Sequence, residues 1–143
     1  IENLDDFKKY DHIKLLPRNV LDERLAQKVW STFIRGDFEI AILSAFKEVE
    51  VRIRSAAKLK VTDLGVNLAR LAFNPEHGPL TDTTNPDGGE RVSYMELFSG
   101  SIGAFKNPSS HRDVNYDDPV IATSLILYAN TLLKIIDQRS KNK

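Results

Sequence analysis

Apolar residues recur along this chain at intervals of three and four, and the breaks in that rhythm fall at Gly, Pro, Asn and Asp. Val20, Leu21, Leu25, Val29 and Phe33 share one helical face, with Asn19 as the expected N-cap and Gly36 as the stop signal. Asp37 is placed to cap the next helix. Its stripe of Phe38, Ala41, Ile42, Ala45, Phe46, Val49, Ile53 and Ala56 predicts a helix to about Lys58, folded back on its predecessor at a tight Gly36-Asp37 corner. A shorter helix is expected after Thr62 or Asp63, using Val66, Leu68, Ala69, Leu71, Ala72 and Phe73 and ended by Asn74-Pro75.

Residues 74–89 are rich in Pro, Gly, Asn, Asp and Thr and read as one long irregular loop, with room for a small hairpin. The helical pattern resumes from Glu90 to Phe105 through Val92, Met95, Leu97, Phe98 and Ile102. Gly100 and Gly103 interrupt it, each costing about 1 kcal/mol relative to Ala, so a close neighbour is expected there. Asp118-Pro119 is a cap followed by Pro at the first helical position. The final helix is predicted to about Gln138 along Ile121, Leu125, Tyr128, Leu132 and Ile135. The expected architecture is an all-α helical bundle of four to five main helices. Residues 1–18 form an N-terminal arm packed on it, 19–138 a single helical domain, and 139–143 a solvated tail.

Composition narrows the chemistry. A chain of 143 residues that is 41% hydrophobic can build one core without staples. Lys+Arg and Asp+Glu balance at 20 each, so any polyanion must be drawn by a local patch. The absence of cysteine excludes disulfides, thiol catalysis and cysteine zinc sites, and agrees with a cytoplasmic location. No apolar run approaches the roughly 20 residues of a membrane span, and the first residues alternate charge with isolated hydrophobes, unlike a signal peptide. The chain starts Ile1-Glu2 rather than at Met, so an upstream domain is one expected partner. No cofactor or metal is expected: Asp82, Asp87 and Glu90 do not match the spacing of an EF-hand loop.

The densest chemistry lies in Lys106-Asn107-Pro108-Ser109-Ser110-His111-Arg112. Asn107 precedes proline and is disfavoured from the α region, so the preceding helix should end near Lys106 and a sharp break follow. Such a break brings Lys106 towards His111. An imidazole with a pKa of about 6.5 can exchange protons at neutral pH. Lys106 and Arg112 can neutralise phosphate oxygens, and Asn107, Ser109 and Ser110 can orient them. Residue by residue a plainer reading exists: Lys106 facing helix C-terminal carbonyls, worth ~0.3–1 kcal/mol, Asn107 as a cap, His111 as a loop imidazole. His12 and His77 are expected to be solvated. Glu48, Glu50, Arg52 and Arg54 are expected to form a charged face with intrahelical pairs, with support of the His111 site by Glu50 or Arg52 as the minority reading. Trp30 and the phenylalanines read as core.

The segment Phe98–Arg112, Phe-Ser-Gly-Ser-Ile-Gly-Ala-Phe-Lys-Asn-Pro-Ser-Ser-His-Arg, resembles the signature of the Ymh family of bacterial proteins. Gly36–Arg52 is similar to that family's long helix, and the likeness covers roughly residues 20–137. The Ymh family is generally grouped with the HEPN superfamily: helical, dimerising domains of toxin, abortive-infection and other defence systems, many of them metal-independent RNases. Their motif is an Arg, usually a polar residue, then a His. The resemblance implies a HEPN-like bundle, a homodimer, an RNA substrate and an antitoxin as a possible partner, while the neutral charge and the lack of a spanning run predict no membrane partner. It maps His111 onto the catalytic His and Asn107 onto the polar residue. Lys106 stands where the superfamily has Arg, and exchanges a bidentate fork for a flexible point charge. Two functions follow: a metal-independent endoribonuclease using His111, Lys106 and Asn107 at a dimer cleft, or a catalytically silent dimerisation or RNA-binding module.

Overall fold

A computed structural model describes residues 4–106 and 116–141. The described residues form six α-helices and no strand: α1 (Leu4–Leu15), α2 (Glu23–Ile34), α3 (Phe38–Ala57), α4 (Gly65–Ala72), α5 (Gly88–Ser101) and α6 (Pro119–Lys141). A 3₁₀ turn, Arg18–Val20, precedes α2, and a π-helical turn, Ile102–Lys106, extends α5. The all-α expectation holds, with more helices than four to five, because the segment read as an arm is itself helical.

α3 is the central element and packs most extensively on α6, then on α2. Its apolar stripe is buried as the periodicity requires: Ala41, Ile42, Ala45, Phe46, Val49 and Ile53 are inaccessible to solvent. Gly36 makes the corner between α2 and α3 at φ +88°, a conformation that disfavours any side chain. α3 then ends on Lys58 in the left-handed region, φ 56°. α4 and α5 pair through Phe73 and Phe98, stacked with centroids 4.0 Å apart.

Several boundaries move for local reasons. Pro17 presets a turn in which its carbonyl accepts from Val20 N, so Asn19 falls in that turn and the cap of α2 is Asp22, accepting from Leu25 N at 3.1 Å. Asp37 precedes α3 without a side-chain cap bond and pairs with Arg35 instead, at 3.3 Å. Asp63 closes a turn on Lys60 N, which delays α4 to Gly65. Asp87 accepts from Gly89 N and Glu90 N, which starts α5 at Gly88 rather than at Glu90.

On α6 the fully buried face is Ala122, Ile126, Ala129, Leu133 and Ile136, with Leu132. That is a register turned by about one residue from the predicted stripe, and Ile121 is half exposed. Nearly every face of this helix is apolar, so packing rather than periodicity selects the buried one. α6 is also, among the described residues, the one helix long and apolar enough to cross a membrane, with mean hydropathy 1.6, contrary to the expectation of no such run. Here those residues pack on α3.

The long loop carries its own anchor. Leu80 is fully buried, its N–H donates to Ala72 O at 2.9 Å, and its carbonyl accepts from Arg139 at 3.1 Å. Phe7 on α1 is exposed, so not every phenylalanine is core, and Trp30 is half-buried beneath the Arg18 guanidinium.

Candidate functional site

Lys106 is the last residue of the π-helical turn. The turn forms where α5 must stop short of Pro108, and π-turns of this kind are frequent at functional sites. It is held from behind: Ile102 is fully buried, and Phe105 lies 5.1 Å from the Phe46 ring and 6.1 Å from Tyr128. Ser101 bonds to Tyr128 Oη at 2.7 Å. Gly103 faces Val66 of α4, where an added Cβ would sit 3.4 Å from Cγ2. The expected close approach therefore exists at Gly103, whereas Gly100 faces open space.

The Lys106 ammonium does not simply face helix carbonyls. It lies 3.6 Å from Glu50 Oε2, and the Glu50 side chain is only 6% exposed. Glu50 Oε1 accepts from Gly65 N at the start of α4, and Arg54 stands 4.0 Å from Oε2 while its Nε donates to Asp63 O. One buried carboxylate thus joins α3, the first turn of α4 and the end of the π-turn. Two cations and a backbone N–H compensate its burial.

Arg52 anchors a second knot on another side of α3. It pairs with Asp22 at 2.8 Å, Glu48 at 3.1 Å and Asp137 at 3.2 Å, tying α2, α3 and α6 together. Hydrogen bonding to Arg52 first, and to Leu25 N besides, holds the Asp22 carboxyl below its usual range against the opposing effect of burial. Lys28 Nζ approaches Glu48 Oε1 at 2.6 Å, close enough to balance its charge but poorly aligned for a hydrogen bond. The expected intrahelical pairs Glu48–Arg52 and Glu50–Arg54 are present, but the expected solvated face is not: both glutamates are buried. Of the two proposed supports, Glu50 reaches Lys106, and the partners of Arg52 lie elsewhere.

Among the predicted site residues, Lys106 alone is described. Asn107, Ser109, Ser110, His111 and Arg112 lie outside the described residues. His77 is exposed, as expected. His12 is not solvated: its Nδ1 lies 3.0 Å from Ile34 O, and its ring meets Phe33 and Phe38 edge-on. No group of three or more His, Asp or Glu side chains able to hold a metal occurs among the described residues. Asp82 instead binds Thr84, which lowers its pKa, and Asp87 caps α5.

Glu50, only the minority reading as a support of the site, carried a stronger signal in the sequence than that ranking gave it. Glu50 follows Phe46 by one helical turn and precedes Ile53 by another, at the edge of the buried stripe. A carboxylate there must find a partner.

The class defined so far is an all-α domain in which a lysine that ends a π-helical turn is held by a buried glutamate. The chain belongs to the Hypoth_Ymh family, described as a protein of unknown function, which it matches over residues 19–136. No curated protein and no solved structure matches it.

Proposed function

We propose that this chain is a HEPN-like, metal-independent endoribonuclease domain of a bacterial defence or toxin-type system. It acts in the cytoplasm as a homodimer. The observation that carries the reading is the Lys106–Glu50 pair: a cation fixed on a buried carboxylate immediately before Asn107-Pro108-Ser109-Ser110-His111. A flexible ammonium so tethered loses less freedom on meeting a phosphate, which offsets part of the disadvantage of Lys against Arg.

In this reading the RNA 2′-hydroxyl attacks the adjacent phosphorus and the bond to the 5′-oxygen breaks. The products are a 2′,3′-cyclic phosphate and a 5′-hydroxyl. One His111 takes the 2′-hydroxyl proton and a second, from the partner subunit, donates to the leaving oxygen. Lys106 and Arg112 stabilise the charge gathered on the phosphorane oxygens, and Asn107, Ser109 and Ser110 orient them. The alternative, a catalytically silent dimerisation or RNA-binding module, is favoured by the same pair read differently, since Glu50 already neutralises Lys106.

RNA cleavage in EDTA separates the two. Wild type should cleave, and His111→Ala, matched for folding by circular dichroism, should lose about 10²–10⁴-fold. Lys106→Arg should retain or raise the rate, and Lys106→Met should lower it. Undiminished cleavage by His111→Ala, or no cleavage by wild type, removes the nuclease reading.

A further inference from the structure

Away from Lys106, α1, the α2–α3 corner and the first turn of α6 enclose an open cleft of 590 Å³. That volume lies in the range of small-ligand sites, about 300–1,000 Å³. Its walls gather Lys8 and Lys9 from α1, Arg35 from the end of α2, the imidazole of His12 and a single carboxylate, Asp117. Neither Lys8 nor Lys9 has a carboxylate partner among the described residues. Arg35 meets Asp37 in an exposed pair, which holds it only weakly. Three cations against Asp117 in the wall and Asp37 beside Arg35 leave a net positive concave surface on a chain whose net charge is zero.

His12 gives the cleft a fixed polar group. Its Nδ1 is engaged by the Ile34 carbonyl at 3.0 Å, and Phe33 and Phe38 hold the ring edge-on at 5.9 and 5.1 Å. In the neutral ring Nδ1–H donates to that carbonyl, which leaves Nε2 as an acceptor. The chain reverses beside it at Gly36, where His12 Cε1 would stand 3.6 Å from an added Cβ. The set therefore combines cations for an oxyanion with two acceptors for hydroxyl donors, which inorganic phosphate alone would leave unused.

We propose that this cleft binds a small hydroxylated organic phosphate of the sugar-phosphate or mononucleotide class. The phosphate sits on Lys8, Lys9 and Arg35, and a hydroxyl donates to Asp117 or to His12 Nε2. None of these residues belongs to the proposed nuclease site, so the two readings stand or fall separately.

Calorimetric titration tests it, using ribose 5-phosphate, adenosine 5′-monophosphate, adenosine and inorganic phosphate. Wild type should bind at least one of the two organic phosphates with a dissociation constant near or below about 1 mM. Adenosine should not bind, and inorganic phosphate should bind at least about tenfold more weakly than the organic phosphate. Lys8→Ala combined with Lys9→Ala, both at exposed positions, should weaken the organic phosphate at least about tenfold, because charge-assisted bonds are lost. Asp117→Asn should weaken the organic phosphate while leaving inorganic phosphate unchanged. No binding of either organic phosphate by wild type at about 10 mM overturns the proposal. Unchanged affinity in the double lysine variant, or equal affinity for inorganic phosphate, does so as well.

Discussion

Arg52 is the side chain whose loss the fold should feel most. Its guanidinium serves carboxylates from three helices, and it is 14% exposed, so screening by water is limited. Removing it leaves Asp22 and the buried Glu48 short of a cation, and breaking a pair of this kind costs about 3–5 kcal/mol. Arg52→Met should therefore lower the unfolding free energy measured by urea titration by that order, whereas Lys at the same place should recover only part of it, since a point charge cannot reach three partners in one plane. A loss below about 0.5 kcal/mol would mean that the knot is no stronger than a surface pair. The same contacts set a pH dependence. Asp22 has a folded pKa below its ordinary 3.8, so its stabilising contribution is complete above that value and is lost as pH falls through the folded one. Stability should then be level with respect to Asp22 from pH 5 to 8 and decline below about pH 4, with a shallower decline in Asp22→Asn. Burial of Glu48 and Glu50 was within reach of the sequence, because both border the stripe running from Phe38 to Ile53. Their partners were not, since Asp22, Asp137 and Lys106 come from distant parts of the chain.

At the scale of elements, the two glycines near the end of α5 give opposite expectations from one motif. Gly100 sits within the helix and an added methyl would meet nothing within 4 Å, so Gly100→Ala should raise stability by about 0.5–1 kcal/mol. Gly103 lies in the π-turn against Val66 and should gain less or lose. If Gly100→Ala raises the melting temperature yet weakens dimerisation or RNA cleavage, the open face of α5 is a working surface. Lys58 offers a further test, for it closes α3 at φ 56° where Gly is the usual residue. Lys58→Gly should stabilise and Lys58→Val destabilise, each by about 1 kcal/mol, in thermal unfolding. The course of α2, α3 and α4 was legible because each has a dominant apolar stripe and a punctuating turn. The register of α6 was not, because Ile121, Leu125, Ile126, Leu132, Leu133, Ile135 and Ile136 crowd several faces, and only contact with α3 selects among them. The helix in 4–15 was missed although Leu4, Phe7, Tyr10 and Ile13 recur every third residue: that sparse stripe is set among charged residues, and in the fold it stays exposed rather than joining the core.

For the molecule as a whole, zero net charge means that the proposed RNA binding would turn on which few cations are engaged. Each phosphate neutralised on a single strand contributes about −0.7 to the slope of log affinity against log salt. If the proposed dimer forms, two copies of Lys106 and Arg112 offer four cations, so the slope for single-stranded RNA should be roughly −3. Because Glu50 lies 3.6 Å from Lys106, that lysine enters partly neutralised, and the slope should fall short of four full contacts rather than exceed them. Lys106→Met in both subunits should flatten it by about one further unit, while Lys8→Ala with Lys9→Ala should leave it unchanged. A slope insensitive to Lys106 but flattened by loss of Lys8 and Lys9 would move the RNA to the cleft beside α1. It would also leave the Lys106–Glu50 pair as a strut between α3 and the π-turn, the role that the silent-module reading gives it.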